Sequence, residues 1–146
     1  MSVLIDTSVW IDHFRNSNDV LIDLIGQDLA LTHPMVIAEI ACGTPPAPRA
    51  QTLSYLGLLQ PCKQASLSEV MAFIEREKLY GLGCGLVDMT LLASTLITPG
   101  AELWTLDKRL ADLAGRFSVG ASVDTALRDY SSLSHPASCN SSPCNT

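Results

Sequence analysis

The sequence predicts an α/β fold in which helices flank a short, mainly parallel sheet. Segments rich in strand formers, at Ser2–Ile5, Leu29–Leu31 and Glu102–Thr105, alternate with longer segments of helical character. Such alternation is typical of parallel strands connected by helices. The chain has 146 residues, 47% of them hydrophobic, which is enough for one core and too little for two. We therefore expect a single domain, over residues 1–130.

The first helices are predicted from their caps. Asp6 and the two hydroxyl residues that follow it are good N-cap residues, and apolar residues come next, so a helix should begin directly after the first strand. A second helix is expected over Asp19–Ile25, ended by Gly26. A third should run from Pro34, a residue suited to the first helical turn, to Cys42.

The second half of the chain contains further helix signals. Ser66 and Glu69 have capping-box spacing, and the helix they open should bury a face formed by Leu67, Val70, Met71 and Ile74. The glycine-rich segment 81–85 is expected to be a loop. The other predicted helices are Leu53–Leu59, Val87–Ile97 and Asp107–Ala114, the last ended by Gly115.

Composition excludes several classes of protein. A net charge of −6 argues against a protein that coats nucleic acid by general electrostatic attraction. The five cysteines show no zinc-type spacing, and no apolar run is long enough to span a bilayer, so we expect a cytoplasmic protein without a membrane partner. Residues 131–146 are rich in Ser, Asn and Pro without an apolar pattern, and we expect them to be a disordered tail.

Two aspartates follow predicted strands. Asp6 and Asp107 each end a strand and begin a helix, and parallel strands bring their carboxyl ends to one edge of the sheet, where ligands bind in this class of fold. Aspartate is also a common helix cap, so for either residue taken singly capping is the more frequent explanation of its position.

Two further acids lie in apolar helices. Glu39 is surrounded by apolar residues in the segment 35–42, and Asp88 precedes the apolar segment 89–97, with no basic residue one turn away in either helix. We expect both helices to be buried, where an unpaired carboxylate needs a cation. Mg²⁺, or alternatively Mn²⁺, is the natural candidate because hard divalent cations bind carboxylate oxygens. Thr7, Ser8 and Thr105 are placed to orient these acids or to cap helices.

At this point the sequence resembles the PIN-domain nucleases, and more narrowly the VapC-like toxins of toxin–antitoxin pairs. The matching segments are Val3–Ile11, Val36–Gly43, Gly85–Ser94 and Leu103–Leu110. The resemblance implies a three-layer α/β/α sandwich with Asp6, Glu39, Asp88 and Asp107 clustered around Mg²⁺. The fourth acid varies in the family, which leaves Asp124 as an alternative to Asp107.

The resemblance also implies an activity and partners. The expected reaction is metal-dependent hydrolysis of RNA phosphodiester bonds, in which Asp6, Asp88 and Asp107 bind the metal and Glu39 is either a ligand or the base that accepts a proton from water. The expected partners are the RNA substrate, a cognate antitoxin protein and a second copy of the chain. Phosphate contacts would come from Arg15, Arg49, Lys63, Lys108 or Arg109.

Two other functions are weighed against this one. A Mg²⁺-dependent phosphatase that uses an aspartate after its first strand would need a second aspartate two residues later, where this chain has Ser8. The chain is alternatively a catalytically silent module that binds RNA or a peptide on the same scaffold. The presence of all four acids argues against the loss of catalysis.

Overall fold

The protein is described by a computed structural model over residues 1–121. Eleven elements follow one another in this part of the chain, and they alternate as the sequence predicts. They are β1 (Ser2–Ile5), α1 (Thr7–Asn16), α2 (Asp19–Gly26), β2 (Ala30–Thr32), α3 (Pro34–Cys42), α4 (Arg49–Gly57), β3 (Gln60–Pro61), α5 (Leu67–Glu77), α6 (Leu86–Ile97), β4 (Ala101–Trp104) and α7 (Lys108–Arg116).

The four strands form one parallel sheet in the order β3-β2-β1-β4. The central strand β1 is apolar because it is covered on both faces, and Val3, Leu4 and Ile5 are fully buried. Its partner β4 pairs with it along its whole length, with Ile5 opposite Trp104. The α/β prediction is confirmed, and two aspartates that follow β1 and β4 leave the sheet at the same edge.

Helices cover the sheet as a three-layer α/β/α sandwich. Helix α3 packs against α1 and α4, while α6 packs against α5, α7 and β4. After α7 the chain returns to β4, where Leu103 N–H donates to the carbonyl of Val119 at 2.7 Å. The predicted tail, residues 131–146, and Asp124 lie outside the described residues, so the predictions made for them stay predictions.

One helix begins earlier than expected. Helix α4 begins at Arg49, with Pro48 as its N-cap, and not at Leu53. Its first turn is polar and exposed, so hydrophobic periodicity reveals only the later part, around the buried Leu56. Strand β3 was not predicted, because two residues are too short to produce an alternating pattern.

Two expectations about burial are wrong. The capping box of Ser66 and Glu69 is present in α5, but the predicted apolar face is buried only in part, since Leu67 and Met71 are 62% and 54% exposed. Glu39 was expected inside a buried helix, yet it is exposed, because α3 turns only Val36 and Ile40 fully into the core. The expectation holds for α6, whose residues 89–95 are all buried.

Candidate active site

Asp6 lies where the central strand ends. Its backbone N–H continues the sheet by donating to the carbonyl of Trp104 at 2.9 Å, and its side chain caps α1. The residue is only 6% exposed. A carboxylate so far from water requires hydrogen-bond donors or a cation around it.

Two hydroxyl groups hold one oxygen of Asp6. Ser8 Oγ donates to Oδ2 at 2.6 Å and Thr105 Oγ1 donates to the same atom at 2.8 Å. Each hydroxyl has a single proton, so both protons are used on Asp6, and both oxygens then act as acceptors. Ser8 Oγ accepts from Leu106 N–H at 2.9 Å, and Thr105 Oγ1 accepts from Asp107 N–H at 3.0 Å. The hydrogen bonds expected from Ser8 and Thr105 to a neighbouring acid are therefore present, and their orienting role stays a prediction.

Asp107 is linked to Asp6 through Thr105. It caps α7, with Oδ1 accepting from Leu110 N–H at 3.1 Å, and its side chain is exposed. The chain between β4 and α7 therefore contributes a buried hydroxyl to one aspartate and a solvent-facing carboxylate of its own. Both aspartates serve as helix caps, as expected, and the capping role uses one oxygen of each.

Asp88 approaches from the first turn of α6. Its Oδ2 accepts from Gly85 N–H at 3.3 Å. Burial raises the pKa of this carboxyl; the Gly85 hydrogen bond lowers it, and the charges of Asp6, Asp107 and Glu39 raise it further. All three other acids thus lie within electrostatic range of Asp88.

Glu39 completes the group from α3. Thr7 Oγ1, in the first turn of α1, donates to Glu39 Oε1 at 2.6 Å. The carboxylate also lines a cavity of about 540 Å³ whose other residues include Arg15 and Pro46. The hydrogen bond expected from Thr7 to a neighbouring acid is present, and its orienting role stays a prediction. The exposure of Glu39 removes the argument that burial alone demands a cation there.

The four carboxylates suit a hard cation. In each, one oxygen is used by a hydrogen bond described above, and the other accepts none from the described residues. None of the four acids forms an ion pair with a basic side chain of residues 1–121. Unshared carboxylate oxygens without a neutralising side chain are the ligands that Mg²⁺ and Mn²⁺ take.

Direct coordination by all four acids is not possible without side-chain movement. As the side chains stand, no three His, Cys, Asp or Glu residues in the described part are arranged to hold one ion. Mg²⁺ retains several waters when it binds proteins, so an acid can contact it through water and need not be a direct ligand. The donor set therefore fits a hydrated divalent cation.

Comparison with known proteins agrees with this arrangement. The family model of the PIN domain matches residues 3–116, from β1 to the end of α7. The chain belongs to the PIN-domain family. A relative named Ribonuclease VapC32, found in two strains of Mycobacterium tuberculosis, is 43% identical over 108 residues, which is 74% of this chain and 86% of the relative. The resemblance to VapC-like proteins is thereby confirmed.

The matched region of this PIN domain contains Asp6, Glu39, Asp88 and Asp107. One feature near them escaped the sequence reasoning, which assigned residues 81–85 only to a loop. Gly83 lies against the side chain of Arg109, so the loop touches the helix that follows Asp107. The density of glycines was the available signal, because glycine is used where another group approaches the backbone closely.

Within residues 1–121, no helix is long and apolar enough to cross a membrane.

Proposed function

We propose that this PIN domain is a metal-dependent endoribonuclease and the toxin of a toxin–antitoxin pair. The observation that carries the proposal is the group of four carboxylates at the carboxyl edge of the sheet, each with an unshared oxygen. The name of the 43% identical relative, a ribonuclease, supports RNA as the substrate. A cytoplasmic location, expected from the sequence, stays a prediction.

Asp6, Asp88 and Asp107 are proposed to hold Mg²⁺, or Mn²⁺, directly or through water. A bound divalent cation would supply Lewis-acid stabilisation of the phosphate and a more acidic water. The protein's own contribution is placement. Ser8 and Thr105 fix Oδ2 of Asp6 by their hydroxyls, and this leaves Oδ1 for the ligand.

Glu39 is proposed to be either a metal ligand or the base that accepts a proton from the attacking water. The Glu39→Gln variant separates the two roles. A base role predicts that metal-dependent thermal stabilisation is retained while cleavage is lost, because the amide cannot accept the proton. A ligand role predicts that both are weakened together.

The basic residues considered for RNA binding differ in their surroundings. Arg49 donates to the carbonyls of Ala41 and Gly43, at 2.7 and 3.4 Å, and so serves the end of α3. Arg15 lines the cavity that contains Glu39, and Arg109 lies near Asp107. We propose that Arg15 and Arg109 are the stronger candidates for phosphate contacts.

An apolar groove beside the site is proposed to bind the antitoxin. A cavity of about 460 Å³ is lined by Trp10, Ile25, Tyr55 and Leu56, and it shares Phe14 and Pro46 with the cavity that contains Glu39. A peptide with an apolar segment would fill this groove and extend over the carboxylates, as helices and extended segments do in other grooves. The exposed Leu67 and Met71 on α5 are proposed for the expected homodimer.

The central experiment compares RNA cleavage by the wild type and the Asp6→Asn variant. A panel of structured and single-stranded RNAs is incubated with Mg²⁺ or Mn²⁺, and with EDTA as a control. We expect cleavage that requires both the metal and Asp6, since the amide keeps the shape of the cap and weakens metal binding. Full activity of Asp6→Asn would refute the assignment. If neither the wild type nor Asp6→Asn binds the metal or cleaves RNA, the result would favour the catalytically silent binding module.

A further inference from the structure

The side chain of Arg109 lies against Gly83 in the place that a Cβ atom would occupy. A Cβ atom built on Gly83 would be 2.8 Å from Nη1, 2.9 Å from Cδ and 3.0 Å from Cζ of Arg109. Gly83 also has φ +87°, a backbone conformation that favours glycine. Both the conformation and the contact therefore require glycine at this position while Arg109 keeps its place.

The guanidinium of Arg109 has unused donors. Of its five N–H groups, one contacts the carbonyl of Gly83 at 3.5 Å, the outer limit of a hydrogen bond, and the described residues supply no other acceptor. Arg109 is exposed, and within residues 1–121 it forms no ion pair. Arg109 thus presents an exposed positive charge with most of its hydrogen-bonding capacity free.

The guanidinium of Arg109 lies on segments that also carry two of the four acids. Arg109 follows Asp107 by two residues, in the first turn of α7. Its other neighbour, the loop 81–85, ends at Gly85, whose N–H binds Asp88. Burial raises the pKa of the Cys84 thiol; the charges of Asp88 and Asp107 raise it further, and Arg109 lowers it. Asp88, Asp107 and Arg109 therefore all lie within electrostatic range of Cys84 in this loop.

We propose that Arg109 binds a phosphate group of the RNA next to the acidic cluster, and that Gly83 positions it for this contact. The proposal rests on the proposed function. A planar guanidinium with free N–H groups suits phosphate oxygens, and an anionic substrate needs a cation beside four carboxylates. A structural role, in which Arg109 only anchors the loop, would depend on a contact of 3.5 Å, which contributes little.

The first test measures RNA affinity against salt concentration. The probe is a fluorescent single-stranded RNA of mixed sequence, bound to proteins that carry Asp6→Asn so that it stays intact. We expect Arg109→Gln to weaken binding by roughly 10-fold and to reduce the slope of log K against log salt by about 0.7, the value for one phosphate of a single strand. Arg109→Lys should keep the slope and lose part of the affinity.

Arg116→Gln is the control for lost charge, because Arg116 ends the same helix and lies over the ring of Phe117 at 5.7 Å. We expect it to leave affinity and slope unchanged. A uniform decrease in both variants would assign the effect to net charge and overturn the proposal.

The second test concerns Gly83. Gly81 lies in the same loop with φ +73°, but a Cβ there meets no atom within 4 Å, so Gly81→Ala introduces similar backbone strain without the contact. We expect Gly83→Ala to reproduce the affinity and slope of Arg109→Gln, and Gly81→Ala to change neither. The double variant Gly83→Ala with Arg109→Gln should show no further loss of slope. Equal effects of the two alanines would refute positioning by Gly83.

Cleavage kinetics of proteins with Asp6 intact separate this inference from the proposed function. If the wild type cleaves RNA in Mg²⁺, Arg109→Gln should raise KM roughly 10-fold with a smaller effect on kcat, since it removes a binding contact. An unchanged KM and salt slope would overturn the role of Arg109 and leave the nuclease assignment intact. If the wild type cleaves nothing, the proposed function fails, while the binding measurements still decide whether Arg109 contacts phosphate.

Discussion

Replacing Thr105 by valine tests how the site is held together. Valine has nearly the same shape, so the substitution removes the hydroxyl and little else. Thr105 is 5% exposed, and its hydroxyl donates to Asp6 Oδ2 at 2.8 Å and accepts from Asp107 N–H at 3.0 Å. The variant therefore loses one hydrogen bond to a charged group and one between neutral groups.

The expected cost follows from these two bonds. A hydrogen bond to a charged group contributes about 1.5 to 3 kcal/mol and a neutral one about 0.5 to 1.5 kcal/mol, so we expect the free energy of unfolding to fall by roughly 2 to 4.5 kcal/mol. Ser8 still donates to Asp6, which favours the lower end. Because residues that orient metal ligands affect affinity by about 10- to 100-fold, metal affinity and RNA cleavage should decrease by a similar factor.

The control is Thr95→Val in α6. Thr95 is 1% exposed, and its hydroxyl donates to the carbonyl of Leu91 at 2.7 Å, about two helical turns beyond Asp88 along α6. Denaturant unfolding gives the stability of both variants, and thermal shift against Mn²⁺ or Mg²⁺ gives the metal affinity. Thr95→Val should lose about 1 kcal/mol of stability and retain cleavage. If Thr105→Val retained full metal affinity and cleavage, the idea that this hydroxyl orients Asp6 and Asp107 would be refuted.

Further predictions concern charge, pH and the core. Burial and three neighbouring acids raise the pKa of Asp88, so its charged form opposes folding. Asp88→Asn should therefore raise Tm in EDTA and abolish the stabilisation by metal. A lower Tm of this variant in EDTA would contradict the reasoning. His33 is 3% exposed and its Nδ1 accepts from Met35 N–H at 3.0 Å, and burial lowers its pKa. Its contribution to stability is therefore present above the ordinary value of about 6.5 and is lost as pH falls below it. Denaturation at a series of pH values should show this loss in the wild type and a smaller one in His33→Asn, which keeps a cap without titrating. Leu4→Ala, at a fully buried position, should cost roughly 2 to 5 kcal/mol of unfolding free energy.

Much of the fold follows from local sequence. Ser2–Ile5 and Pro34–Cys42 were predicted with the bounds they have, because an apolar strand and a helix with proline in its first turn carry their signals within a few residues. The start of α4 and the strand β3 have no such signal. Their positions depend on contacts with residues distant in the chain, as when Leu31 pairs with Gln60.

The sequence predicts which acids form the candidate site, but it predicts less well how exposed they are and what lies around them. Asp6 and Asp107 follow strands whose pairing brings them to one edge, and this reasoning needs only the topology. The exposure of Glu39 could not be predicted from the sequence, because the apolar residues around it on α3 do not reveal how little of the helix faces the core. The contact of Gly83 with Arg109 joins two segments that no periodicity relates.

The pairing of β1 with β4 has a consequence for biosynthesis. Asp6 and the Thr105 hydroxyl that fixes it are 99 residues apart in sequence. A ribosome that adds about 5 to 20 residues per second needs roughly 5 to 20 s to make the segment between them. A nascent chain that has exposed β1 and α1 therefore carries only part of the carboxylate cluster until β4 emerges and inserts beside β1. Premature termination anywhere before β4 would release a fragment without Thr105 and Asp107, and we predict that such a fragment does not cleave RNA.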